Sequence, residues 1–106
     1  MRRDVLKNHL ELLVLTALEA GPGHGYSIIR AIRERSGGEF ELLEGSLYPA
    51  LHRLERDGLV TSSWSEVAGR KRRVYKLSRK GRAALDEQER DWRRFERAVN
   101  LVLADR

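Results

Sequence analysis

At Gly58 the apolar repeat of this chain changes from helical to strand-like, and no other feature limits its fold as much. Upstream lies EGSLYPALHRLERDGLV, residues 44–60, in which Leu47, Leu51 and Leu54 recur at i, i+4 and i+7. That spacing puts the leucines on one face of a helix. Ser46 reads as its N-cap, Pro49 falls in the first turn, and Gly58 supplies a left-handed stop, so a helix is predicted over 46–57. Two further helices precede it. One runs from about residue 4 to 20, with Val5, Leu6, Leu10, Leu13, Val14, Ala17 and Leu18 at helical spacings, and ends at Gly21-Pro22-Gly23. The other runs over about 25–35, with Tyr26, Ile28, Ile29 and Ile32 apolar, and is closed by Ser36-Gly37-Gly38.

Beyond Gly58, residues 59–67 and 73–77 carry the β-branched and aromatic residues of two strands, joined by residues 68–72 as a basic hairpin. Ser78 then caps a helix predicted to run to about residue 104. Along it, Leu85, Gln88, Trp92, Phe95, Val99 and Val102 follow heptad-like 3, 4 spacing. The expected architecture is α+β but mostly α: a winged helix-turn-helix of three helices and a two-stranded wing, followed by a long C-terminal helix. The division expected is a winged unit over 1–78 and a dimerisation helix over 79–106.

The predicted helix at 46–57 has a second face. With its leucines turned inward, Ser46, Tyr48, His52, Arg53 and Arg56 are left outside, on a helix sized for a DNA major groove. The competing reading is an ordinary surface helix whose arginines pair with Glu55 or Asp57. Residues 69–82 add eight Lys or Arg and no acid. At the tip of a hairpin such a run suits a phosphate backbone or a minor groove. The chain as a whole carries +5, which points the same way.

Other classes lack support. His9, His24 and His52 show no metal-ligand spacing, there is no cysteine, and the Glu39, Glu41 and Glu44 cluster has no accompanying nucleophile or base. No metal, cofactor or catalytic residue is expected, and the protein is not read as an enzyme. No apolar run approaches a membrane span or a signal-peptide core, so no membrane partner is expected and a cytoplasmic protein is.

HGYSIIRAI (24–32), EGSLYPALHRLERDGLV (44–60) and RKRRVYKLSRKGRAAL (70–85) together resemble the PadR family of winged-helix transcriptional regulators. The likeness covers nearly the whole chain and is most specific in the middle motif. Ser27 stands where a glutamate is common and Ser78 where threonine is common. The length is similar to that of the family's small branch, with its single C-terminal helix.

The resemblance implies a homodimeric DNA-binding protein, usually a repressor, acting on a pseudo-palindromic operator in double-stranded DNA. Carried onto this chain, it puts Ser46, Tyr48, Pro49, His52 and Arg53 in the major groove and Arg70, Lys71, Arg72 and Arg73 on the backbone or minor groove. Tyr26 either reaches a phosphate or braces the second helix against the third. Leu10, Leu85, Trp92, Phe95, Val99 and Val102 would form the dimer interface, unless the last helix folds back on its own domain. Trp92 either stacks on a flat apolar effector between protomers or packs the seam. The alternative function is a winged-helix scaffold or protein-interaction subunit without sequence-specific DNA binding.

Overall fold

The computed structural model describes residues 3–106, with side chains from Val5 onward. The elements run α1 (Arg3–Asn8), α2 (Leu10–Glu19), β1 (Gly23–His24), α3 (Gly25–Arg35), α4 (Glu44–Arg56), β2 (Val60–Val67), β3 (Arg70–Leu77) and α5 (Arg79–Ala104). The sheet is antiparallel with order β1-β3-β2. Leucines from α1, α2 and α4, Ile28 and Ile32 from α3, Val60, Tyr75 and Leu85 form one core.

Several expectations are corrected in detail. The first predicted helix is broken at His9, whose φ of −117° and ψ of 12° lie outside the helical well. Leu6 and Leu10, on either side of the break, both lie in the core. Helix α4 starts two residues before the predicted cap, with Leu43 as N-cap and no side-chain cap bond. Ser46 is therefore not a cap but an exposed third residue of the helix. Glu44 in the first turn complements the positive end of the helix dipole, which favours this earlier start. Pro49 consequently sits in the second turn, one turn deeper than predicted. The stop at Gly58 is as expected. Its φ is +78°, and Gly58 and Leu59 amides return to the Glu55 and Leu54 carbonyls at 3.0 and 2.9 Å.

The wing differs more. The hairpin turns within fewer residues than 68–72: Ala68 and Gly69, with φ of 52° and 78°, make a two-residue turn, and Val67 pairs directly with Arg70. Positive φ at both central residues is the geometry that matches the twist of paired strands. Arg70, Lys71 and Arg72 are thus strand residues whose side chains alternate between the two faces. Their charge does not oppose pairing, because the tip is exposed on both sides. The wing also gains a third strand. Gly23 and His24 pair with Tyr75 and Val74, a stretch too short to show a period in sequence.

Helix α5 has two environments. Ser78 Oγ accepts the Gly81 amide at 2.9 Å and donates to the Gly58 carbonyl at 2.6 Å, tying the helix start to the end of α4. Gly81 and Leu85 lie in the core, so the first turns of α5 belong physically to the winged unit. Beyond Trp92 the helix projects. The molecule measures 58 × 28 × 21 Å with a radius of gyration of 15.2 Å, against about 13 Å for a compact chain of this length.

Two residues of the predicted seam are not available to it. Leu10 and Leu85, expected on it, are 4% and 2% exposed and fill the chain's own core. The stripe that Leu85 begins on α5 continues uncovered as Phe95, Val99 and Val102, joined by Leu103 on the same face. Trp92 lies between, half-buried. No helix among the described residues is long and apolar enough to cross a membrane.

Candidate nucleic-acid interface

At 100° per residue, Pro49, His52 and Arg56 stand directly opposite the leucines of α4, with Tyr48 on one flank and Ser46 and Arg53 on the other. All six are exposed. The competing pairing expectation holds only for Arg56, whose Nε lies 3.3 Å from Asp57 Oδ1. Glu55 turns toward the wing instead, and Arg53 has no acidic partner among the described residues. A solvent-exposed pair such as Arg56–Asp57 holds its partners weakly, so Arg56 is readily surrendered to another anion. Lys80 Nζ donates to the Asp57 carbonyl at 2.9 Å and so caps the negative end of α4.

The N-terminus of α3 meets the wing beside α4. His24, Tyr26, Arg30, Tyr48 and the run Arg70 to Arg73 line an open cleft of about 660 Å³. Tyr26 is 60% exposed there, which excludes the reading of a core tyrosine bracing two helices. Tyr48 leans on Gly25: a Cβ on that glycine would collide with the Tyr48 hydroxyl and fall 2.6 Å from its Cζ. The absence of a side chain at position 25 is what lets the tyrosine ring lie across the start of α3.

Sequence reasoning missed the part His24 plays. Its Nδ1 accepts the Ser27 amide at 3.3 Å while its Nε2 lies 3.0 Å from Arg72 Nη1. A neutral imidazole has one acceptor nitrogen, so the helix cap and the Arg72 bond belong to different tautomers. Ser27 Oγ accepts from the His24 amide at 3.0 Å and keeps the cap closed in either case. The signal available was the position of His24 just before a helix start, which is a capping position.

The predicted wing cations divide. Arg70, Lys71 and Arg72 project from the hairpin, whereas Arg73 turns back toward α4, its Nε donating to Ser62 Oγ at 3.0 Å. Burial pushes the neighbouring Tyr75 phenol above its ordinary pKa, with the Arg73 charge acting in the opposite direction. Ser46, Pro49, His52 and Arg53 do not line the cleft: Pro49 and His52 stand on the outer face of α4, and Ser46 and Arg53 lie on the flank away from Tyr48, with Ser46 beside Leu6, Lys7 and Leu10.

A second concavity, of about 330 Å³, lies between the α1–α2 junction and α5. His9 meets Trp92 edge-on with ring centroids 5.1 Å apart, and Phe95 follows at 6.0 Å from Trp92. Glu11 and Asp91 stand on its rim, and Gln88 Nε2 donates to Glu11 Oε1 at 3.2 Å.

Residues 14–87 match the transcriptional regulator PadR-like family. A transcriptional regulator of Mycobacterium tuberculosis, Rv3488, is 46% identical over 67 residues, a match covering 63% of each chain. The crystal structure of a PadR family transcription regulator from Clostridium difficile superposes with a TM-score of 0.80 at 33% identity, over 90% of this chain and 98% of that one. Bacillus subtilis PadR, solved in complex with operator DNA, shares the fold at a TM-score of 0.67 and 24% identity, over 74% of this chain and 45% of its own. A winged helix with this core, this α4 motif and these relatives places the chain among regulators and not enzymes: it belongs to the PadR-like family of transcriptional regulators.

Proposed function

We propose that this chain is a cytoplasmic, homodimeric repressor that binds a pseudo-palindromic operator and releases it when a flat apolar molecule binds near Trp92. The observation that carries the DNA reading is the basic, tyrosine-lined cleft in which Tyr48 of α4 and Tyr26 and Arg30 of α3 face Arg70, Lys71 and Arg72 of the wing. Backbone contacts supply most of the affinity in such a complex, and base-edge contacts from the groove helix supply the discrimination. In this assignment Ser46, Tyr48, Pro49, His52 and Arg53 read the major groove, Tyr26 and Arg72 hold phosphates, and Arg70 and Lys71 follow the backbone.

Two substitutions separate these roles. Arg53→Ala should cost about 1–3 kcal/mol on the operator and far less on random duplex, because a base contact is lost. Arg72→Ala should weaken binding on every sequence and lower the salt slope by about one. Gel shifts across a salt series on both duplexes read the difference. Equal losses on operator and random DNA for Arg53→Ala would remove it from the base-reading set.

Residues 1–78 serve as the reading unit and 79–106 as the pairing helix, with the turn around Gly81 and Leu85 lending its side to the core. Pairing along α5 would bring a second copy against the open concavity at Trp92. Aromatic faces suit planar compounds, and Glu11 and Asp91 favour a cationic one. A ligand there would alter the spacing of two α4 helices that must meet half-sites about 34–36 Å apart. In a Trp64→Phe background, which removes the exposed second tryptophan, planar cations should quench the remaining emission and lower operator affinity. A panel of planar cationic and neutral compounds that changes neither signal would defeat the effector proposal.

A further inference from the structure

The wing is fastened to α4 by a polar bridge that neither the core nor the reading face accounts for. Ser62 Oγ on β2 donates to Glu55 Oε2 on the last turn of α4 at 2.5 Å. Arg73 Nε on β3 donates to the same hydroxyl at 3.0 Å, and Arg73 Nη2 stands 3.8 Å from Glu55 Oε2. The guanidinium lies 5.2 Å from the centroid of the Trp64 ring. Strand register explains the grouping. Trp64 pairs with Arg73 and Ser62 with Tyr75, so Ser62, Trp64 and Arg73 project from one face of the wing, the face that meets α4. The Ser62 hydroxyl spends its one proton on Glu55 and a lone pair on Arg73.

We infer that Glu55 is a positioning residue for DNA contact, holding the wing at a set angle to α4 through Ser62 and Arg73. The inference rests on the DNA-binding reading above. Arg73 is then a brace and not a phosphate contact. Outward of this bridge the hairpin has no core residue: positions 66–72 are exposed throughout, and a two-stranded ribbon by itself is only marginally ordered. Glu55, Ser62 and Arg73 sit at the base of that lever. Fixing the angle there places Arg70, Lys71 and Arg72 beside the duplex before it arrives, so less ordering is left to pay on binding.

The charge of Glu55 makes the test sharp. An acid beside a basic face opposes DNA by simple attraction and repulsion, so Glu55→Gln, which raises the net charge from +5 by one, should tighten binding if electrostatics were all. Positioning demands the opposite sign. The measurement is fluorescence anisotropy on a labelled mixed-sequence duplex across a salt series, with melting temperature recorded for each variant. Glu55→Gln is expected to bind about tenfold more weakly with a salt slope smaller by about one or more. Arg73→Lys keeps the charge but loses the Nε bond and the planar stack, and should be weakened to a similar degree. The double variant should bind no more weakly than either single one.

Glu55→Gln binding as tightly as the native chain, or more tightly, overturns the inference. So does Arg73→Lys with native affinity and slope, which is the deciding measurement should Glu55→Gln fail to fold. A native chain that binds no duplex overturns the DNA reading and this inference with it, whereas a binding native chain matched by Glu55→Gln overturns the brace alone.

Discussion

Gly81→Ala is expected to cost about 3 kcal/mol or more of stability, a large share of what holds a domain of this size together. A Cβ at that position would collide with the Leu59 carbonyl oxygen, 2.8 Å from its carbon and 3.2 Å from the Leu59 Cα. These are backbone atoms, and they are not free to retreat. The same carbonyl accepts the Ser78 amide at 3.1 Å, and Leu59 itself closes the C-terminal motif of α4 through its bond to Leu54. Relief would require α5 to lift away, dragging Leu85 from the core and breaking the Ser78 and Lys80 bonds that hold it to the end of α4. The check is a chemical-denaturation midpoint, with Gly45→Ala as control. Nothing lies within 4 Å of a Cβ at Gly45, so that helical position should be neutral or gain up to about 1 kcal/mol. Equal midpoints for Gly81→Ala and the native chain would show that the junction can yield.

Val99→Glu combined with Val102→Glu is the second large effect, and it falls on assembly. In an isolated chain both valines are solvent-facing, 37% and 73% exposed, so charging them should leave the monomer fold within about 0.5 kcal/mol. In a dimer paired along α5 the same change buries like charges across a two-fold axis. The predicted outcome is a monomer at micromolar concentration by sedimentation, with near-native helix content. Operator affinity should fall about 10²- to 10⁴-fold, because the second half-site must then be bound as a separate bimolecular event. A charged double variant that remains dimeric would move the interface off this stripe.

Much of this was legible in the sequence for a physical reason. The leucine repeat of α4, the glycine after it and the serine before α5 are local instructions, carried by residues whose effect depends on their immediate neighbours. Such signals located α3, α4 and α5, and they picked out Tyr48, His52 and Arg53 as the residues left over once the leucines turn inward. Local signals failed where partners come from far along the chain. Strand β1 exists because Tyr75 and Val74 offer an edge to Gly23 and His24. Arg73 reads as one cation in a basic run, yet Glu55 and Ser62 decide its direction. Tyr26 was open between core and surface until the wing and α4 defined a cleft for it to face.

The last helix shows the boundary most clearly. A heptad-like stripe from Leu85 to Val102 determines that one face of α5 must be covered, since apolar side chains at helical spacing are excluded from water together. It does not say by what. Packing against α2 and the core takes Leu10 and Leu85 for the chain's own interior and leaves the stripe bare from Phe95 outward. Periodicity is a property of one segment and can be read from it, whereas the choice of which surface it meets is made by the whole arrangement of elements in space.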